Sequence, residues 1–495
     1  MGFERSWERF GVLLAGVADP VSGPRTADAL EGFLLDQGRQ VLRQVLRDRL
    51  DQLAAAERRA AEPVVDAEGG VHARVERGHT RGLATVFGPV RVERMAYRAP
   101  GAVNLYPADG ALNLPGGLHS HTLRRLAAVE AVRGSFDQAQ AAIGRMTGQR
   151  VGKRQLLGLV TGAAADITAF YAGRRAPAGR AEADLLVLTF DGKGVVMRPE
   201  GLREATARAA SAAEHKLAIR LSPGEKGNRK RMAEVAAVYD AEPAPRTAAQ
   251  VLARTSDREH VAGPKAENKW LTASVTDDIG AVVGEAFDQA IRRDPDRERT
   301  WICLVDGNRT QIESVQAEAA RRGVTVTIVI DFIHVAEYVW GAAWSFFDKG
   351  DRDAETWVAD QLTKILQGRA GHVAAAIRRR ATRFGYTGTE RKAADEAAKY
   401  LTAKKPHLAY DQALRQGWPI ATGVIEGACR HLVKDRMDIT GARWGLPGAE
   451  AVLRLRALIA SGDLDEYWAF HLLKEHHRVH ETRYQHHAQD YTLTA

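Results

Sequence analysis

The chain has 495 residues, with 70 Lys and Arg against 62 Asp and Glu, giving a formal charge of +8 with neutral histidines. That length exceeds one core of ordinary size and predicts two to four domains, while 45% hydrophobic and 27% charged residues exclude disorder and collagen-like sequence. The basic excess favours acidic partners such as nucleic acid, and the two cysteines, Cys303 and Cys429, exclude a disulfide framework or a thiolate zinc site and fit a reducing cytoplasm.

The N-terminal apolar run is broken by Glu4, Glu8 and Arg9, and no later stretch is expected to reach the roughly 18 to 20 apolar residues of a bilayer span. From Thr26 to Glu62 apolar residues recur at three and four, which predicts a long amphipathic helix. Its stripe needs a partner helix, and a second protomer is one source. From His72 to Arg98 the pattern alternates around Gly88-Pro89 and reads as a hairpin rich in arginine. Helical patterning resumes near Ser120 and runs to about Gly173. Within it, a helix from Phe136, a break at Thr147-Gly148-Gln149 and a second helix from about Val151 match a helix-turn-helix. Arg145, Gln149, Arg150, Lys153 and Arg154 cluster at the turn and the start of the second helix, where such modules meet phosphates and base edges. An ordinary helical hairpin with a basic rim is the other reading.

From Asp184 the texture is that of an α/β domain. LLVLTFDGKGVVMRP predicts a buried strand, a turn at Asp191-Gly192-Lys193-Gly194 and a second strand returning from it; AEVAAVYDAEP predicts a third. A helix at VVGEAFDQAIRR, a strand at TWICLVDG, a helix at IESVQAEAARRG and a strand at VTVTIVID follow. Three strands, then helix, strand, helix and strand is the order of the ribonuclease H-like fold. From Phe332 to about Gly417 a basic, mostly helical stretch reads as an insertion, after which a helix is entered from Gly423 and another lies in ARWGLPGAEAVLRLRALIASGD. The expected division is a helical region at 1–70, a hairpin and loop region at 71–118, and a helical, helix-turn-helix-like DNA-binding region at 119–180. The α/β core occupies 181–331, with a helical insertion at 332–419, the glutamate helix of the core at 420–460 and a tail at 461–495.

Three acids fall where such a sheet gathers charge: Asp191 at the end of the first strand, Asp306 at the end of the strand after the first helix, and Glu426 in the first turns of the helix after the insertion. Hard oxygen ligands of this kind suit Mg²⁺ or Mn²⁺, and two such ions about 4 Å apart serve phosphodiester cleavage and joining. Taken singly, Asp191 and Asp306 are also turn residues before glycine, and Glu426 complements a helix dipole.

With these segments in view, the sequence resembles bacterial insertion-sequence transposases with a DDE triad, close to the Kra-type group and more distantly similar to Mutator-like transposases. The resemblance is carried by LTFDGKGVVMRPE, LVDGNRTQIESV, VIDFIHVAEYVWGAAW and GWPIATGVIEGACRHLVKDRMDITGARWGLPGAEAVLRLRAL, with TVFGPVRVERMAYR and LYPADGALNLPGGLHS upstream, and it covers nearly the whole chain. It implies Asp191, Asp306 and Glu426 as catalytic residues that hold two Mg²⁺ or Mn²⁺ ions. It implies attack by water at the element end, strand transfer by the freed 3′-hydroxyl, double-stranded DNA (terminal inverted repeats and target) as partner, a homodimer or larger synaptic complex, no membrane, and a cytoplasmic, nucleoid-associated location. Asp331 and His334 match the Cys-or-Asp, two residues, His motif of the Mutator-like enzymes, and Asp331, ending a strand, is also an alternative second ligand.

Beyond Glu426, Arg430, His431, Lys434 and Arg436 form an expected cationic surface beside the same helix, with Arg443 and Trp444 next, suited to phosphates close to the metals. Arg436 and Arg443 are otherwise solvated charges and Trp444 a packing anchor. The basic runs Lys226 to Arg231 and Arg378 to Arg383 are DNA tracks or solvated faces. The histidines of the tail, His471, His476, His477, His480, His486 and His487, match no closed zinc site and read as a surface helix. A nuclease of the same fold without strand transfer, and a DNA-binding derivative with a lost active site, are the alternative functions.

Overall fold

The computed structural model describes residues 2–174, 184–212, 229–253, 257 and 259–485. Its chain forms two units, one built from Met1–Ala172 together with Asp463–Ala495, the other from Gly173–Gly462. The first unit thus contains both early and late chain, with the second unit inserted between them.

In the first unit, α1 (Glu4–Ala18) packs against α2 (Ala27–Ala56), whose start is capped by the Thr26 hydroxyl accepting from the Ala29 amide. Asp48, 5% exposed, joins the two helices by accepting from both the amide (3.0 Å) and the hydroxyl (2.6 Å) of Ser6. After the short strands β1 (Val64–Val65) and β2 (Val71–His72), β3 (Arg74–Thr85) and β4 (Gly88–Arg98) form the expected hairpin. Its two-residue turn is Val86-Phe87 rather than Gly88-Pro89, because Thr85 pairs with Gly88. Leu50 of α2 lies in one core with Leu83, Val90, Val92 and Leu114. Next come α3 (Pro107–Ala111), α4 (His121–Arg133), α5 (Phe136–Thr147), α6 (Lys153–Ala163) and α7 (Ile167–Gly173).

The run Lys153–Gly173 is, by length and composition, long and apolar enough to cross a membrane, which corrects the expectation that no stretch reaches that size. Its Leu156, Val160, Ala163, Ile167 and Phe170 are buried inside the unit. The tail also departs from expectation: the helix Leu464–Val479 is no freestanding surface helix. Its His471 is buried and contacts Asp166 at 2.7 Å, while Arg478 donates two bonds to the same carboxylate at 2.9 and 3.0 Å. His480 is likewise buried, against the Leu114 carbonyl; His476 and His477 engage Glu481, and His486 and His487 lie outside the described residues.

The second unit is organised on a five-stranded mixed sheet. Its strands are β5 (Leu185–Val196), β6 (Lys230–Ala241), β7 (Glu267–Ser274), β8 (Thr300–Val305) and β9 (Val326–Ile330), in the order β7-β6-β5-β8-β9. β5 pairs antiparallel with β6 and parallel with β8, which is parallel to β9. The turn expected at 191–194 does not form. β5 runs straight through it, pairing with β6 from Leu185 to Val196, because Gly192 and Gly194 let β6 side chains cross the strand: a Cβ would meet Met232 at 3.0 Å at the first and Lys230 at 2.8 Å at the second. The returning strand is therefore β6, and the third antiparallel strand is β7, absent from the sequence reading. Among these elements lie α8 (Glu204–Ala212), α9 (Ala248–Leu252), α10 (Ile279–Arg293) and α11 (Arg309–Arg322). The helical stretch beyond the sheet comprises α12 (Phe332–Ala343), α13 (Arg352–Leu366), α14 (Ala370–Arg383), α15 (Gly388–Ala403) and α16 (Tyr410–Arg415). The chain returns to the sheet through α17 (Gly423–Ala428), a π-helical stretch Cys429–Lys434, α18 (Asp435–Met437) and α19 (Leu446–Ala460), which packs on β7.

A candidate acidic site at the sheet edge and a basic helical turn

Strand register decides where the acids fall. Thr189 of β5 is level with Leu304 of β8, and Leu304 with Val329 of β9. Two residues further on, Asp191 in β5 and Asp306 and Asp331 just past the ends of β8 and β9 fall at the same end of three neighbouring strands. Asp191 lies within β5 rather than at its end. Asp306 and Asp331 each follow the last residue of a parallel strand, and the Asp331 amide donates to the Val305 carbonyl at 2.8 Å.

Each carboxylate is held locally. Asp191 accepts from the Gly192 amide at 2.7 Å and is bonded to the buried Cys429, whose thiol is pushed up by burial and by Asp191 itself. Asp306, partly exposed, accepts from the Asn308 amide at 2.7 Å. Asp331 is fully buried, caps α12 by accepting from the Ile333 amide at 2.8 Å, and takes a short hydrogen bond from the Thr422 hydroxyl. His334 follows on the first turn, 3.0 Å from Glu337; against the pull of burial, Glu337, Asp331 and Asp306 hold its imidazole above the ordinary value.

Two further residues belong here that the sequence reading missed. Glu234 of β6 faces Gly192 across the strand pair. Its carboxyl is raised above the ordinary range by burial and, despite Arg203, by the negative charge of Asp191, Asp278 and Asp306. A lone glutamate in an apolar strand was its only signal. Tyr400 of α15 donates to the Asp306 carbonyl at 3.1 Å and stacks on Tyr338 of α12, with ring centres 3.9 Å apart. Gly307 has φ +92°, and a Cβ there would meet the Tyr400 hydroxyl at 2.7 Å, so glycine is required by conformation and space alike.

Glu426 is exposed on α17, which packs against β5 and β6 one turn before Cys429. The π-helical stretch that follows is braced by Arg456, which donates to the Leu432 carbonyl at 2.9 Å and, in a short bond, to that of His431. Among the described residues no group of three His, Cys, Asp or Glu side chains converges closely enough to hold a metal ion. The donors along this edge are nonetheless carboxylate oxygens, the chemistry that a hard divalent cation takes.

Of the expected cations, Arg430, Lys434 and Arg443 are exposed. Arg436 is not a surface group: it is 2% exposed, lies 4.7 Å over the Trp444 ring, and is pushed down to about 10 chiefly by burial. Trp444 is buried and donates to the Met437 carbonyl, a packing anchor. Of the basic run Lys226 to Arg231, residues 226–228 lie outside the described residues; Arg231 is tied to the Val275 and Thr276 carbonyls.

In the first unit, α5 and α6 are joined by Gly148–Gly152 with Gly148 at φ +67°, and both pack on α4. Ser135 and Gln138 form a capping box at the start of α5. Arg145, Arg150 and Arg154 are exposed around the turn, Gln149 folds back to the Thr147 carbonyl, and Lys153 pairs with Asp137 at 2.5 Å.

No protein-family model matches the chain, and no curated protein matches it. Among solved structures, a Drosophila P element transposase strand transfer complex is 11% identical, covering 70% of this chain and 79% of that chain with a TM-score of 0.22, a likeness too distant to support an inference.

Proposed function

We propose that the chain is a DDE-type transposase with a ribonuclease H-like core, cutting DNA at the ends of a mobile element and joining those ends to target DNA. The observation that carries this reading is the placement of Asp191 and Asp306 at the same end of adjacent strands of the β7-β6-β5-β8-β9 sheet, with Glu426 on a helix packed over two of those strands after a helical insertion. Asp191, Asp306 and Glu426 would hold divalent cations, Mg²⁺ or Mn²⁺. Such ions, when bound, supply activation of an attacking hydroxyl and stabilisation of the leaving oxygen.

The chain's own residues do the rest. Asp331, already spent on the α12 cap and Thr422, fixes the strand end rather than serving as the second ligand. Tyr400 holds the Asp306–Gly307 corner. Lys193, Arg430, Lys434 and Arg443 receive phosphates, and Glu234, its carboxyl raised by burial and by Asp191, Asp278 and Asp306, holds a proton more readily than a free glutamate. The α5–α6 turn, with Arg145, Gln149, Arg150, Lys153 and Arg154, reads the terminal repeats.

The test is cleavage of labelled DNA carrying the element's terminal repeat, with Mg²⁺ or Mn²⁺, comparing wild type with Glu426→Gln, followed by joining of pre-cut ends. Nicking at the repeat boundary that Glu426→Gln abolishes, and joined product from pre-cut ends, are expected. Cleavage without joining would replace this reading by the nuclease; specific binding without cleavage under either ion would replace it by the inactive DNA-binding derivative.

A further inference from the structure

The first two helices leave a row of large apolar side chains in water. Phe3, Trp7, Phe10 and Leu14 are exposed along α1, and Leu34, Leu35, Leu42 and Val45 along α2. On α2 the outward stripe reads Glu31, Leu35, Gly38, Leu42, Val45 and Arg49, in alternating steps of four and three. This order is symmetric about residue 40: Glu31 mirrors Arg49, Leu35 mirrors Val45, and Gly38 mirrors Leu42.

Gly38 sits in the middle of the helix, where glycine costs about 1 kcal/mol relative to alanine. A Cβ there would meet nothing within 4 Å, so nothing in its own chain requires the missing side chain. The charges are divided too. Before residue 40 α2 carries Asp28, Glu31 and Asp36 with Arg39, and beyond it Arg43, Arg47 and Arg49, while Asp48 is turned inward to Ser6 and Asp51 faces Arg5.

We propose that a second copy of this chain covers the stripe, the two α2 helices packing antiparallel about a two-fold axis at residue 40. Leu42 then lies over the partner's Gly38, Leu35 meets the partner's Val45, and Glu31 pairs with the partner's Arg49 at both ends of a contact about 27 Å long. A parallel pair in register would set Glu31 against Glu31 and Arg49 against Arg49, so the charge pattern selects the antiparallel one. The contact holds whatever chemistry the acidic edge performs.

Sedimentation equilibrium of the full chain without DNA tests it. The 54.0 kDa chain is expected to double its mass reversibly in the micromolar range. Leu42→Glu, at a site already 50% exposed, should leave a monomer with unchanged circular dichroism. Glu31→Arg and Arg49→Glu should each weaken the dimer about tenfold, and the double reversal should restore it. A wild-type monomer up to about 100 µM, a Leu42→Glu chain that still dimerises, or a double reversal no better than either single one would overturn the proposal.

Discussion

Asp166 in the first unit and Glu234 in the second are both acids taken largely out of water, yet their carboxyls move in opposite directions. Burial penalises each. At Asp166 that penalty is outweighed by Arg478 and His471, and the carboxyl is held below its usual range. At Glu234 burial wins, reinforced by Asp191, Asp278 and Asp306 and only partly opposed by Arg203. The first arrangement is complete in itself and serves to hold a helix in place. The second sets Glu234 among three acids with Arg203 alone opposing them, so its charge is left unbalanced where that of Asp166 is met.

The strongest way to break the comparison is to neutralise the acidic edge. Asp191→Asn and Asp306→Asn should each slow DNA cleavage by about a thousandfold or more, the loss of several kcal/mol of charge stabilisation, with repeat binding retained in gel-shift assays. Asp331→Asn should instead lower the folding stability while retaining measurable cleavage; equal, complete loss at Asp306 and Asp331 with binding kept would refute the choice of second ligand. At the balanced site the effect is on folding. Asp166→Ala leaves the buried His471 without its partner and should cost the first unit about 1 to 3 kcal/mol in denaturant titrations, without altering the response to divalent ions.

Adding Mn²⁺ should stabilise the second unit of the wild type by about 2.7 kcal/mol at a hundred times its dissociation constant, read as a rise in melting temperature. Asp191→Asn should not respond; an identical rise in both proteins would locate the ion elsewhere. A smaller effect concerns His121, whose Nε2 donates to the Asn113 carbonyl at 3.0 Å while Nδ1 is buried without a hydrogen-bond partner. Burial and Arg124 push its pKa down to about 4, below the 6.5 of the unfolded chain. Its stabilising contribution is therefore complete above pH 6.5 and is lost as the pH falls towards 4, by about 1 to 2 kcal/mol once partial exposure is allowed for. His121→Phe should flatten that slope; an unchanged slope would assign it to other groups. The smallest change is Tyr400→Phe, which keeps the stack on Tyr338 and removes one hydrogen bond to the Asp306 carbonyl, worth about 1 kcal/mol. Cleavage should slow about fivefold with KM unchanged.

Much of the sheet was legible because its strands are continuous apolar runs between helices with clear periodicity, as at Thr300–Val305 and Val326–Ile330. The reading failed where glycine meant something other than a turn. At Gly192 and Gly194 it makes room for β6 side chains, a fact that depends on a strand some forty residues away. β7 escaped notice because it is an edge strand whose first half, Glu267-Asn268-Lys269, is polar and includes Asn268 at φ +48°. Strand and helix order placed Asp306 just past a parallel strand and Glu426 in the first turn of a helix, where the structure has them, but put Asp191 at a strand end instead of inside β5. Glu234, Tyr400 and the Asp331–Thr422 bond depend on long-range pairing that no local pattern announces, and so does His471, whose partner lies 305 residues back.

That last separation sets a timetable during synthesis. At about 5 to 20 residues per second, roughly 15 to 60 s pass between the emergence of Asp166 and that of His471. The inserted unit can finish folding within that interval, while the unit that began first is completed last. Until Arg478 arrives, Asp166 must remain hydrated, so the first unit stays open on the ribosome, and a chain terminated early would release a finished sheet beside an unfinished partner.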